Sequence, residues 1–142
     1  MNWHLLTVLH AVPTLFLVGL IWLVQVVHYP LFAMVGEREF AAWEREHCRR
    51  VAWVVLPAML AELALTAWLW WHAPPQWRGW CTAGLVLLGV VWASTFLLQV
   101  PCHERLAQGR DPAAVHRLVQ TNWLRTWAWT ARGVVAVVLA VG

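Results

Sequence analysis

The stretch Gln99–Arg132, QVPCHERLAQGRDPAAVHRLVQTNWLRTWAWTAR, cuts an otherwise apolar chain with polar residues, and its reading decides the fold. Gly109 supplies a helix stop and Asp111 an N-cap side chain. Pro112 fits the first helical turn, where its missing N–H needs no partner. A new helix therefore starts at Pro112. From there Asn122, Arg125, Trp129 and Arg132 follow at steps of three, four and three, which lines them up on one helix face.

The rest of the chain sets where that helix lies. With 142 residues, 61% of them hydrophobic and 12% charged, and a mean hydropathy of +0.60, the chain is far more apolar than a water-soluble domain of its size. Apolar runs at 5–27, 51–71, 80–100 and 122–141 each approach the ~20 residues that a bilayer core requires. The expectation is an all-α integral membrane protein: one domain, a four-transmembrane-helix antiparallel bundle with cytoplasmic helix extensions. Its helices are expected at about 4–28, 38–72, 80–108 and 112–141. The first run has no preceding Lys or Arg and is longer than a signal-peptide core of about 7–15 residues, so it reads as a retained helix.

Orientation follows from arginine, because the chain contains no lysine. Arg38, Arg45, Arg49, Arg50, Arg105, Arg110 and Arg117 fall in the connections after the first and third runs, and Arg78 alone lies in the connection after the second. The positive-inside tendency makes the two arginine-rich connections cytoplasmic and puts both termini outside. This asymmetry accounts for the net charge of +3 without nucleic acid as a partner. Trp3, Trp68, Trp70, Trp71, Trp77 and Trp80 gather towards one end and Trp43, Trp53, Trp123, Trp127 and Trp129 towards the other, as aromatic belts at two bilayer surfaces would.

Between the first two runs, EREFAAWEREHCRR places Phe40, Trp43 and His47 on one face and Glu46 within reach of Arg50. It reads as an amphipathic helix that lies at a surface or runs straight into the second run. A faint repeat pairs Gln25 with Gln99 and His28 with His103, each glutamine being followed by Pro and His. The same repeat aligns Arg49-Arg50-Val51-Ala52-Trp53 with Arg125-Thr126-Trp127-Ala128-Trp129.

Counting depth at about 1.5 Å per residue brings Glu62 and Arg132 to the same level, near ~15 Å from the outer ends. Intramembrane charges of this kind face the bundle interior and pair. Two roles stay open for them: a buried lock between helices, or a proton or substrate group. Gln25, Gln99, Asn122 and Arg125 come out together at about 26–31 Å, with His28, His47, Arg50 and His103 just beyond. Three histidines from three helices can hold a metal ion, since neutral imidazole ligates Zn, Cu, Fe or Ni, so His28, His47 and His103 are the metal candidates. The repeat also allows a haem between His28 and His103. A cluster without any cofactor is the third option.

Val100-Pro101-x-His103-Glu104-x-Leu106, followed by Asn122-x-x-Arg125-Thr126, resembles the anthrone oxygenase-like family of small four-helix membrane proteins, mainly over the second half of the chain. His103 stands where the family's motif carries a polar amide. The resemblance implies a multi-pass protein of the bacterial inner membrane. Fungal members of the family oxidise anthrones to anthraquinones with oxygen, with no assigned cofactor.

Such chemistry needs a flat apolar cavity, a base and a holder for an oxyanion. His103 or His28 can serve as base and Arg125, Asn122 and Arg50 as holders. Glu62 and Arg132 complete the candidate catalytic set, and Gln25, Gln99, Arg50 and Trp129 the candidate substrate contacts. Two function classes follow. One is an oxidoreductase, oxygenase-like, on a lipophilic aromatic or quinol-type substrate. The other is a non-catalytic subunit that joins a homo-oligomer or a larger membrane complex. The arginine count makes one prediction: alkaline phosphatase fused after Gly142 is expected to be active and green fluorescent protein fused there dark. The opposite pattern would invert the orientation.

Overall fold

The computed structural model describes residues 2–142. Its elements are all helical, with no strand among the described residues. Helix α1 spans Trp3–Leu23 and opens on Asn2, whose side chain accepts the His4 N–H. It passes into a π-turn, Val24–His28, and then a 3-10 turn, Pro30–Met34. Helix α2 covers Phe40–His72 without a break, so the amphipathic segment runs straight into the second apolar run. Helix α3, Arg78–Ser94, leads through a second π-turn, Thr95–Gln99, into α4, Val100–Leu106. Helix α5 is Pro112–Val141. Four continuous helical runs, Trp3–Met34, Phe40–His72, Arg78–Leu106 and Pro112–Val141, are long and apolar enough to cross a membrane.

The first helix, expected to end at about 28, has its last α/π-helical residue at His28, and a 3-10 turn over Pro30–Met34 extends the run. A proline inside an α-helix collides with the carbonyl four residues back and removes a hydrogen bond. Widening the preceding turn relieves both: Tyr29 N–H reaches back to the Val24 carbonyl at 2.9 Å, and Val100 N–H reaches the Thr95 carbonyl. The two π-turns stand in the same register to Pro30 and Pro101, each ending two residues before its proline. That register differs from the one read off the glutamines. The paired R-x-x-A-W segments are not equivalent either, because Arg49 is exposed whereas Arg125 is buried.

Buried apolar residues fall into three successive clusters. Leu6, Leu69, Cys81 and Leu139 meet where the start of α1, the end of α2, the start of α3 and the end of α5 come together. Leu17, Ile21, Met59, Val91 and Trp129 fill the middle. Tyr29, Phe32, Phe40, Leu106 and Leu118 close the opposite end. Helix α5 is the most buried of the four runs and α2 the least. Close approach of α1 to α5 depends on Gly133, where an added Cβ would come within 3.1 Å of Val18.

Asp111 caps α5 as its sequence position predicts, its Oδ1 accepting from Ala113 N–H at 3.0 Å and Ala114 N–H at 3.1 Å. Arg105 pairs with the same carboxylate. The Ala114 N–H, helped by Arg105 and the Ala113 N–H, holds the Asp111 carboxyl below the usual carboxylate range. A carboxyl depressed in the folded state stabilises above its unfolded pKa and loses that contribution as pH falls through its folded value. In detergent, the melting temperature of the parent is expected to exceed that of Asp111→Ala at neutral pH. The gap should narrow as pH drops to the bottom of the carboxylate range; a gap independent of pH would contradict the ionised cap.

Candidate functional site

The polar stripe of α5 is inside the fold. Asn122, Arg125, Trp129 and Arg132 are all buried, as their common helix face requires. Asn122 donates from Nδ2 to Gln25 Oε1 at 2.8 Å, and Gln25 Nε2 donates to the Val119 carbonyl at 3.1 Å. Gln99 reaches α5 too, its Nε2 donating to Thr121 Oγ1 at 3.3 Å. Both glutamines belong to the π-turns, and both turn inward onto α5.

Deeper along α5, Arg132 Nε donates to Glu62 Oε1 at 2.9 Å, the pairing that the depth count gives. Its Nη2 donates to Thr66 Oγ1 at 2.9 Å and its Nη1 to the Gly84 carbonyl. Trp129 Nε1 donates to Glu62 Oε2 at 3.1 Å, so both carboxylate oxygens are engaged. His10 Nε2 approaches Thr66 Oγ1 at 3.1 Å and completes the group from α1. The free space beside this network is about 10 Å³, scarcely one water. Glu62 and Arg132 therefore tie α2, α3 and α5 together in a closed, paired network. Neither borders the large cavity described next, whereas His47, Gln99, His103, Arg125 and Trp129 do.

That cavity, about 540 Å³, opens between α1, α2, α3 with α4, and α5. Leu17, Ile21, Val55, Met59 and Phe96 give it apolar walls, and Tyr29, His47, Cys48, Gln99, His103 and Arg125 line it with polar groups. Arg125 is only 7% exposed and forms no ion pair among the described residues. Its Nη1 donates to Asn122 Oδ1 at 3.2 Å, its guanidinium lies 5.1 Å from the Trp129 ring centroid, and its Nε has no partner. Gln99 Oε1, Trp92 Nε1 and His47 Nε2 are also buried without partners, and all three residues border the cavity. Buried polar atoms are normally paired, so four orphans around one cavity make it the candidate ligand site.

The histidines meet as their spacing predicts. His28 Nε2 lies 3.0 Å from His47 Nδ1, and the His47 and His103 ring centroids are 5.7 Å apart. His103 is gripped on both sides: Nδ1 is 2.5 Å from Glu44 Oε1, and Nε2 is 3.1 Å from the Tyr29 hydroxyl. Cys48 Sγ donates to the same Glu44 oxygen at 3.3 Å. Glu44 is fully buried, yet its Oε2 is unpaired. The haem reading gains no support from this packing: His47 packs against both of the expected ligands, its ring centroid 4.7 Å from that of His28 and 5.7 Å from that of His103.

Arg50 lies outside that cavity: its side chain is 75% exposed, its Nε pairs with Glu46 at 2.6 Å as the i+4 spacing predicts, and it borders a second space of about 530 Å³ with His28, Trp43 and His47. A surface Glu at i−4 holds it more readily than a desolvated pocket would. Glu44, Tyr29, Cys48 and Trp92 escaped the sequence reading. The signal for Glu44 was present, since it shares a helix face with Phe40, His47 and Cys48, but the charge density of EREFAAWEREHCRR reads as a solvated surface. Compared with family models, curated proteins and solved structures, the chain matches none.

Removing one member of a buried ion pair leaves the other uncompensated and costs about 3–5 kcal/mol, whereas replacing both with apolar residues costs much less. Glu62→Leu and Arg132→Met singly are expected to lower the melting temperature in detergent sharply, and the double variant to recover most of the loss. Additive losses would rule out the pairing as the lock.

Proposed function

We propose that this chain is a multi-pass membrane protein whose four helical runs form an antiparallel bundle, with both termini on the outer side of a bacterial inner membrane. The exposed apolar surface of the bundle supports this, Trp53 at 75%, Trp71 at 72% and Trp127 at 58% among them. So does the concentration of arginine in the connections after the first and third runs. The three core clusters fit the alternation of direction.

Within the bundle, the cavity binds a lipophilic aromatic molecule bearing an oxygen that becomes anionic, and the chain acts on it as an oxygenase-like oxidoreductase. One observation carries this reading: Arg125, a buried guanidinium with an unpartnered Nε and no carboxylate, faces an apolar cavity. A buried cation without a counter-charge is costly, and a developing oxyanion supplies the missing partner. Gln99 and Trp92 add unfilled hydrogen-bonding positions nearby. Glu44, His103 and Tyr29 form a proton relay at the same end: the carboxylate holds the His103 Nδ1–H, and the ring's Nε2 draws a proton through the Tyr29 hydroxyl.

The resemblance to anthrone oxygenases names a chemistry that this arrangement suits. Loss of a benzylic proton from an anthrone gives an enolate held at Arg125. Addition of O2 at the benzylic carbon gives a hydroperoxide, which loses water to leave the quinone. One O2 is consumed per anthrone, one water is released, and no external reductant is needed.

The test is anthrone oxidation by detergent-purified protein, followed by oxygen uptake and quinone absorbance, with binding read from quenching of tryptophan fluorescence. Arg125→Gln is expected to lower kcat/KM by about 100-fold or more, in the range for loss of an oxyanion donor. Tyr29→Phe should lower kcat with little change in binding. Absence of both quenching and turnover in the parent, or an unimpaired Arg125→Gln variant, would overturn the reading.

A further inference from the structure

We infer that His47, Cys48 and His103 form a transition-metal site at the polar end of the cavity, suited to an ion of borderline softness such as Zn2+. One ligand atom from each of the three lies within 4.8 Å of the other two. Ligands at about 2.0–2.3 Å from a tetrahedral ion stand roughly 3.5 Å apart, so small side-chain rotations close the set around a metal.

The surroundings of the two histidines suit metal ligation. A ligating imidazole normally gives its second nitrogen to a carboxylate, carbonyl or other acceptor, which fixes its tautomer. His103 Nδ1 lies 2.5 Å from Glu44 Oε1, and Nε2, which contacts the Tyr29 hydroxyl at 3.1 Å in the metal-free relay, exchanges that contact for the metal when an ion binds. His47 Nδ1 lies 3.0 Å from His28 Nε2, which leaves Nε2, and that atom is buried without any partner. His28 is thus a positioning residue and not a ligand, which changes the triad expected from the sequence: Cys48 takes its place.

Glu44 supplies a second, independent sign. Its side chain is 0% exposed, its Oε2 has no partner, and its Oε1 is shared by the His103 imidazole and the Cys48 thiol. A fully buried carboxylate whose pairing partner is an imidazole, cationic only when protonated, gains from a divalent ion beside it. Glu44 also accepts the Cys48 thiol hydrogen bond, so it stands ready to take the proton when the sulfur binds metal as thiolate.

Two His and one Cys leave a fourth position open, the pattern of reactive and not structural zinc sites. All three ligands border the cavity, so that position faces whatever the cavity holds. The inference deepens the cavity reading by naming its cofactor class, yet it does not depend on the organic substrate, because metal binds alone.

Co2+ serves as a coloured stand-in for Zn2+. Detergent-purified protein, stripped with chelator and dialysed, is titrated with Co2+ and then back-titrated with Zn2+. One Co2+ per chain is expected, with a thiolate-to-metal charge-transfer band that Zn2+ abolishes. Cys48→Ser, nearly isosteric, should lose that band. His47→Ala and His103→Ala should weaken binding by 10-fold or more, and His28→Ala and Glu44→Gln by about 10–100-fold through loss of support to the ligands. His4→Ala, exposed near the N-terminus, is the control and should behave as the parent. Circular dichroism reports whether each variant folds, and Cys48→Ser carries the test if a histidine variant does not. Absence of a charge-transfer band in the parent, or Co2+ affinity unchanged in folded Cys48→Ser and His47→Ala, would overturn the site. Anthrone turnover by the stripped protein bears only on the cavity reading, and the Co2+ spectrum only on the metal.

Discussion

A guanidinium removed from water has to find acceptors for its N–H groups, and in Arg132 that demand organises the helices. It meets Glu62 on α2, Thr66 one turn further along α2, and the Gly84 carbonyl on α3, while Trp129 from its own helix fills the other Glu62 oxygen. The directional bonds of one side chain thereby fix how α5 sits against α2 and α3. Apolar packing alone would not do this. The buried clusters of Leu, Val and Met above and below tolerate small shifts, whereas a bidentate polar network has one good geometry.

The same helix face carries a second arginine with the opposite outcome. Arg125 lies two turns from Arg132, roughly 10 Å along the axis, and is nearly as buried, but no carboxylate reaches it. Its neighbours are an amide oxygen, the Tyr29 hydroxyl and an aromatic ring. What separates a structural arginine from a candidate functional one here is the neighbour and not the residue. Glu62 closes one site, and the cavity leaves the other open. A fully paired charge adds rigidity and offers little to a ligand, whereas an incompletely paired one is a reservoir of interaction energy for an anion.

The two prolines do more than end helices. Pro30 and Pro101 each force a π-turn before them, and those turns rotate Gln25 and Gln99 inward to bond α5. Just beyond them stand Tyr29 and His103, which hydrogen-bond each other across the cavity mouth. One extra residue per turn shifts everything after it by about 100° around the helix, which is how π-turns come to sit at functional sites. The polar end of the cavity is the joint product of two such shifts and of Glu44 on α2.

Four helical runs and their bounds near 72, 112 and 141 were written in the sequence, because span length, apolar content, the Asp111-Pro112 cap and the α5 stripe are all local properties. The pairing of Glu62 with Arg132 was legible as well, since two charges at matching positions inside long apolar runs have little alternative to each other. Where local rules competed, the sequence misled. The acidic residues around Glu44 read as a solvated face. Only the packed structure decided that Glu44 is buried against His103 and Cys48 while Glu46, two residues on, stays outside with Arg49 and Arg50. Only it left Arg125 without a counter-charge, for the physical reason that pairing depends on which distant side chains arrive within hydrogen-bonding distance, and no local pattern along the chain encodes that.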